Sequence, residues 1–218
     1  IEVLVETGDS GPVTPIGINL PNDNQIRADH GSKAVSLANV LKAYDGASGG
    51  KSIHEFAWDE AEAARSRTYG GQAGDLSTTM HEVLGHASGR MSAELAGVEP
   101  STLVGEYYSA LEEARADLVA LYYIGDPMLA ELGVADDPAT LQRAEYESYA
   151  RNAVLQLRRV PGDQDQLEDD HMRNRQMIVH WLMAHTEAIE RRTRAEKTFF
   201  VVVDIDAFQE GVGVLLAE

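Results

Sequence analysis

Most of the chain after Trp58 repeats its hydrophobic positions every three to four residues. This spacing is typical of amphipathic helices, and Gly, Pro and Asp residues mark the breaks between them. The pattern predicts helices near residues 58–68, 76–88, 102–124, 138–159 and 166–186. We therefore expect the middle of the chain to be a helical domain.

The amino-terminal part has a different pattern. Residues 1–6 alternate between apolar and polar side chains and residues 16–20 are rich in Ile and Leu, so both are predicted to be short strands. Residues 34–41 have helical spacing and predict a helix. The glycine-rich residues 45–50 that follow are the best candidate for a linker.

Residues 198–205 are rich in β-branched and aromatic side chains and predict a strand. Residues 189–193 would either pair with this strand in a hairpin or extend the preceding helix, and the sequence leaves both open. The expected fold class is mainly α with small β elements.

The composition narrows the choice of partners. The 218 residues include 36 acidic and 18 basic side chains, and a surface this negative disfavours nucleic acids and anionic membranes. The chain has no cysteine, so His and carboxylate are the only side chains suited to a metal, and a reducing, cytoplasmic location is expected. The chain begins at Ile1 without an initiator Met, and we expect a piece of a longer protein. The oligomeric state is not predicted.

One segment has the residue types of a zinc hydrolase: His81-Glu82-Val83-Leu84-Gly85-His86. Two histidines four residues apart on a helix can reach one ion, but His81 and His86 are five apart, or about 140° around an ideal helix. Both reach one ion only if the helix widens by one residue, as in a π-bulge. Gly85 is interpreted as the inserted residue. We expect four other histidines to be surface or packing residues: His30, His54, His180 and His185.

The predicted helix near 102–124 contains Leu111-Glu112-Glu113-Ala114-Arg115-Ala116-Asp117. Glu113 and Asp117 lie four residues apart, so they share a face away from the apolar stripe of Tyr107, Leu111, Ala114, Leu118 and Leu121. A bound cation would offset their repulsion; alternatively, they form a solvated charged face that Arg115 partly neutralises. Glu112 is placed to accept a hydrogen bond from a ligand imidazole.

With these two motifs, the chain resembles the dipeptidyl peptidase III family of zinc metallopeptidases, whose signatures are H-E-x-x-G-H and E-E-x-R-A-E/D. The resemblance extends to the blocks at residues 17–22, 31–41 and 171–175, and thus over nearly the whole chain. The forms Glu-Glu-Ala-Arg-Ala-Asp and His-Met-Arg-Asn-Arg are similar to the bacterial branch.

The resemblance implies one Zn²⁺ per chain, bound by His81, His86 and Glu113. It further implies that Glu82 is the general base, that Glu112 and Asp117 support the ligand histidines, and that His171 stabilises the reacting carbonyl. Substrate-binding roles are implied for Gly17, Asn19, Asn22 and Arg175.

The implied reaction is release of dipeptides from the amino terminus of oligopeptides. The alternatives are a zinc hydrolase of the same scaffold acting on another small amide or ester, and an inactive metal-binding fragment. In a two-lobed metallopeptidase of this kind, residues 1–48 would belong to the substrate-binding lobe and residues 49–218 to the helical zinc-binding lobe. Family members are longer and carry an upstream Glu and Tyr for substrate binding, so this chain alone is expected to lack part of the cleft.

Overall fold

The computed structural model describes residues 17–21, 26, 29–37, 39, 51–89, 91–95, 97–160, 162, 167 and 169–218. Within these residues the protein is mostly helical with two small antiparallel sheets, which confirms the expected fold class. The strand predicted at residues 1–6, the linker at residues 45–50 and Asn22 lie outside the described residues.

The helices follow the predicted order. Residues 58–88 hold one continuous helical segment instead of two, because the glycines near residue 70 do not interrupt it. The carboxyl-terminal helix was not predicted. The α-helices are α1 (Lys51–Phe56), α2 (Glu60–Met80), α3 (Pro100–Val104), α4 (Tyr108–Tyr123), α5 (Met128–Glu131), α6 (Pro138–Leu155), α7 (Asp170–His185) and α8 (Ile205–Ala217).

Helix α2 begins at a well-formed cap. The Asp59 side chain accepts a hydrogen bond from the Glu62 backbone amide at 2.8 Å, and the Glu62 carboxylate accepts one from the Trp58 amide at 2.8 Å. Both interactions satisfy amide groups that have no partner within the helix. The other Glu62 oxygen binds Arg151 of α6 at 2.5 Å, so the cap also joins α2 to α6.

Each sheet has two strands within the described residues. Strand β1 (Gly17–Leu20) pairs with β2 (Lys33–Ser36), and β3 (Ile189–Arg194) pairs with β4 (Lys197–Val202). The β3–β4 pairing confirms the hairpin and excludes the helical alternative. The helix predicted at residues 34–41 is wrong over its first part, because Ala34 and Val35 pair with Asn19 and Ile18 of β1.

The core lies where α4, α6, α7 and α8 meet. The ring of Tyr146 stacks on that of Phe208 with centroids 3.9 Å apart, and both side chains are fully buried. Ile178 and Leu182 of α7 are also fully buried in this cluster. The core therefore fixes α4 against α7, the two helices that carry Glu113 and His171.

Candidate metal centre

The helix widens where the histidine motif begins. α2 ends at Met80, and His81–His86 continues as a π-helix, which confirms the predicted bulge. The two imidazole rings lie with centroids 4.6 Å apart and nearly perpendicular. Five-residue spacing therefore brings both rings to one side of the segment, as the wider turn allows.

Gly85 lies against α4. A Cβ atom at this position would lie 2.7 Å from the Ala116 Cα atom and 2.9 Å from the Ala116 oxygen, so a side chain would collide with backbone. Ala116 is itself fully buried. The glycine is required by the close approach of the π-helix to α4, a reason that the sequence motif alone does not reveal.

Three ligand-type atoms converge beside this contact. Glu113 Oε2 lies 3.2 Å from His81 Nε2 and 3.6 Å from His86 Nε2. Within the described part of the chain, these residues form the cluster suited to a metal ion. Tetrahedral zinc with bonds of about 2.0–2.2 Å separates its ligand atoms by roughly 3.3–3.6 Å. The two distances from Glu113 Oε2 are close to this range, and the three ligand-type atoms all lie within 4.8 Å of one another.

The buried Glu113 Oε2 atom supports the same interpretation. It has no hydrogen-bond partner among the described residues, although ring nitrogens of His81, His86 and His171 lie within 3.6 Å of it. A buried carboxylate oxygen without a donor is costly, and a cation bound between Glu113 and the two motif histidines would compensate it.

Carboxylates hold the far side of each imidazole. His81 Nδ1 lies 2.7 Å from Asp117 Oδ1, and His86 Nδ1 lies 3.2 Å from Glu112 Oε1. An Nδ1–H that donates to a carboxylate leaves Nε2 free to bind a metal. Arg115 donates twice to Glu112, at 2.9 and 2.6 Å. Arg115 thus holds Glu112 in place. Asp117 pairs with His81, so it does not belong to a solvated charged face, the alternative that the sequence left open.

Tyr149 is a part of this arrangement that the sequence analysis missed. Its hydroxyl donates to the second oxygen of Asp117 at 2.8 Å. The Arg175 guanidinium lies 4.9 Å from the centre of the Tyr149 ring, and its Nη1 donates to Gln156 at 3.3 Å. No sequence signal distinguishes Tyr149 from Tyr146, a core residue three positions earlier on α6.

The charged groups of the cluster change the pKa values of their neighbours. Burial opposes protonation of His81, but its hydrogen bond to Asp117 and the negative charges of Asp117 and Glu113 raise its pKa to about 10. Burial also opposes protonation of the partly buried His86, but its hydrogen bond to Glu112 and the negative charge of Glu113 raise its pKa to about 9. The pKa of Glu113 is lowered, against the effect of burial, by the two histidines. Without a metal, the cluster is therefore a set of imidazolium–carboxylate pairs.

Glu82 and His171 lie at the same cluster. Burial raises the pKa of Glu82, and the nearby His81 and His86 partly oppose this shift. His171 Nδ1 lies 3.3 Å from Glu113 Oε2, although 63% of its side chain is exposed. A half-buried carboxyl and an accessible imidazole thus flank the three ligand-type atoms.

The described candidates for substrate binding lie in β1 and in α7. Gly17 and Asn19 lie in β1, and both strands of the β1–β2 hairpin contact the π-helix. Within the described residues β1 pairs with β2 alone. Arg175 is directed toward Tyr149 and Gln156.

Three other histidines have contacts that fit the expectation that they are surface or packing residues. The His185 ring stacks on Trp181 with centroids 4.5 Å apart, and the His180 ring meets Phe200 edge to face. His54 lies 3.3 Å from an Arg67 nitrogen. None of these three residues belongs to a metal-type cluster in the described part of the chain.

A mainly helical domain that presents two His and one Glu to a common point is typical of a metallohydrolase. The family model for peptidase family M49 matches residues 2–99 and 95–214. The chain belongs to peptidase family M49.

Curated relatives and a solved structure agree with this assignment. Dipeptidyl peptidase 3 of Nematostella vectensis is 27% identical over 86% of this chain and 28% of its own length. Dipeptidyl peptidase 3 of Dictyostelium discoideum is 28% identical over 66% of this chain and 24% of its own length. A solved structure of DPP III from Caldithrix abyssi has the same fold, with a TM-score of 0.66 and 22% identity over 94% of this chain.

The chain spans 36% of the Caldithrix abyssi chain and about a quarter of the two curated relatives. Among the described helices, none has the length and apolar character needed to cross a membrane.

Proposed function

We propose that this chain carries the zinc centre of a peptidase that releases dipeptides from the amino terminus of oligopeptides. The observation that carries the proposal is the convergence of His81, His86 and Glu113, with Glu113 Oε2 lying 3.2 and 3.6 Å from the two Nε2 atoms, close to the separations of tetrahedral zinc ligands. One zinc ion per chain, when bound there, would polarise the scissile carbonyl and activate a water molecule.

Glu82 is proposed as the general base. It follows the ligand His81 directly, and its raised pKa moves it toward the neutral range in which a carboxylate can accept a proton from water and return it to the leaving amine. His171 is exposed beside Glu113 and is proposed to donate a hydrogen bond toward the developing oxyanion. Glu112 and Asp117 hold the ligand imidazoles in orientation.

The substrate is proposed to bind along β1. An extended peptide would add to the edge of this strand opposite β2, with Gly17 on that edge and Asn19 and Asn22 holding the amino end of the peptide; β1 also contacts the π-helix. Arg175 is proposed as a further substrate contact. In the same proposal, residues 1–48 belong to a substrate-binding lobe and residues 49–218 to the zinc-binding lobe.

The test compares Glu82→Gln with Glu131→Gln, a matched change at an exposed position on α5. In the zinc-loaded protein that contains this chain, Glu82→Gln should lower dipeptide release from a chromogenic dipeptidyl substrate by about 10²–10⁴-fold without changing zinc content. Glu131→Gln should leave both unchanged. Equal rates in the two variants would contradict the role of Glu82.

Product analysis decides between reaction types. Mass spectrometry of a digested oligopeptide should show dipeptides removed from the amino end. Turnover of amide or ester substrates without dipeptide release would favour the other zinc hydrolase, and zinc binding without turnover would favour an inactive metal-binding chain. A cytoplasmic location is part of the proposal, and cell fractionation tests it.

A further inference from the structure

The turn that follows the π-helix lies against Arg115 of α4. Ser88 donates to the Gly85 oxygen through both its backbone amide and its hydroxyl, each at 3.1 Å. The Ser88 hydroxyl accepts a hydrogen bond from Arg115 Nη1 at 3.4 Å. Gly89 has a φ of +89°, and a Cβ atom there would lie 3.2 Å from the same Nη1 atom. The guanidinium is therefore in close contact with the residues that end the π-helix.

These contacts close a ring of hydrogen bonds around His86. His86 Nδ1 contacts Glu112, and both Glu112 oxygens accept hydrogen bonds from Arg115. Arg115 also reaches Ser88, which is bonded to the oxygen of Gly85, the residue before His86. One end of the ring thus orients the imidazole, and the other end holds the backbone that carries it.

An arginine is suited to both connections. Its Nε and Nη2 atoms donate to the two oxygens of Glu112, which leaves Nη1 to reach Ser88. The guanidinium presents its donors in a rigid planar fork, whereas lysine has one ammonium group at the end of a flexible stem. A lysine would retain the charge and could pair with Glu112, but it would not hold Glu112 and Ser88 at a fixed separation.

We propose that Arg115 is a positioning residue for the zinc centre, because it joins Glu112 to Ser88 and so holds the His86 ring and the end of the π-helix in the arrangement that binds the metal. The inference rests on the proposed function, since it takes zinc to be the ligand of His86. It concerns one of the two ligand histidines and leaves the support of the other unchanged.

The first test measures zinc affinity by chelator competition in the protein that contains this chain. Arg115→Lys should weaken zinc binding about tenfold, as is typical for groups that hold a metal ligand. Ser88→Ala leaves the pair with Glu112 intact and should weaken zinc binding about threefold, the effect of one neutral hydrogen bond. Arg143→Lys is the matched control, because Arg143 pairs with Glu147 of its own helix at 3.1 Å, and it should change nothing. Equal zinc affinities in all four proteins would overturn the proposal.

Three further measurements separate geometry from charge. Arg115→Ala removes a positive charge beside the site, so a purely electrostatic role would make zinc bind more tightly, whereas loss of positioning should weaken binding about tenfold or more. Arg115→Lys should alter the visible absorption of the Co²⁺-loaded protein, which reports the arrangement of the ligands, and Arg143→Lys should not. In a Glu112→Ala background, Arg115→Lys should cause no further loss of zinc affinity. Tighter binding in Arg115→Ala, an unaltered Co²⁺ spectrum in Arg115→Lys, or additive losses would overturn the proposal.

Hydrogen exchange in the metal-free protein gives a readout that is independent of zinc. The amides of residues 86–89 should exchange faster in Arg115→Lys than in the unchanged protein, and Arg143→Lys should not affect them. Ser88 is exposed, so Ser88→Ala provides the same test if the Arg115 variants do not fold.

Failure of this inference is distinguishable from failure of the proposed function. If the unchanged protein binds no zinc but these amides respond to Arg115→Lys, the proposed function fails and the support of His86 by Arg115 stands. If zinc binds and dipeptides are released, yet Arg115→Lys changes neither zinc affinity nor exchange, the positioning role alone fails.

Discussion

Asp117 of α4 accepts a 2.7 Å hydrogen bond from His81 Nδ1, and this contact turns the other ring nitrogen toward Glu113. The second Asp117 oxygen accepts a hydrogen bond from Tyr149. The carboxylate is thus held on both sides, by one residue on the π-helix and one on α6. Orientation of the His81 ring therefore depends on three separate elements.

Removing the Tyr149 hydroxyl should weaken zinc binding. Tyr149→Phe leaves the ring but frees one Asp117 oxygen, so His81 loses a fixed partner. Changes to residues that hold a metal ligand typically cost 10–100-fold in affinity, and we expect about tenfold here. Competition with a chelator of known affinity measures the change.

Tyr146→Phe is the matched control, because Tyr146 is also buried on α6 and donates one hydrogen bond, to the Leu121 oxygen at 2.9 Å. It should lower the free energy of unfolding by about 1 kcal/mol and leave zinc affinity unchanged. Equal zinc affinities in the two variants would show that Tyr149 has only a structural role.

A methyl group at Gly85 should disturb both the fold and the cluster. Gly85→Ala forces the π-helix away from Ala116, which we expect to cost about 1–3 kcal/mol of stability and to weaken zinc binding more than tenfold. Chemical denaturation and chelator competition measure the two effects.

Gly74→Ala provides the comparison, since nothing lies within 4 Å of a Cβ atom at that position in α2. This change should stabilise the protein by about 0.5–1 kcal/mol, because Ala favours a helix interior over Gly. If Gly85→Ala also stabilised the protein, the close approach would not be the reason for glycine.

Zinc binding should release protons. The pKa values of about 10 for His81 and about 9 for His86 mean that both are protonated at pH 7 without metal. Zinc binds neutral imidazole, so about two protons should leave and affinity should rise with pH up to about 10. Calorimetry in two buffers of different ionisation enthalpy measures the number released. Release of less than one proton would contradict the charge state.

The raised pKa values of the two histidines should also make the metal-free protein less stable at high pH. Both histidines have folded-state pKa values above the ordinary 6.5, so they stabilise the fold fully below about pH 6.5. This contribution is lost as the pH rises through about 9 to 10. Denaturation midpoints of the metal-free protein at pH 6 and pH 10 should therefore differ in that direction.

Local spacing predicted the parts of the site that depend on one segment. The five-residue separation of His81 and His86 requires a widened helix, which the structure has. Most of the helix predicted near 102–124 is present as α4, although residues 105–107 separate it from α3. The proximity of Glu112 to the His86 imidazole was also predictable. These features follow from helical periodicity and the geometry of one ion.

Contacts between segments that are far apart in the sequence could not be predicted from local spacing. The residues at 34–36 have helical spacing, but pairing with β1 makes them a strand. Tyr149 has an ordinary position in its helix, and only the packing of α4 against α6 places its hydroxyl on Asp117. Tyr107 and Leu111 were expected in an apolar stripe, yet both are more than 40% exposed.

The most direct test of the central claim is zinc stoichiometry and affinity in purified protein, compared with His86→Ala and Glu113→Ala. We expect one zinc per chain in the unchanged protein and a loss of affinity of at least 100-fold in each variant. Sub-stoichiometric zinc in the unchanged protein, or equal affinity in the variants, would contradict it.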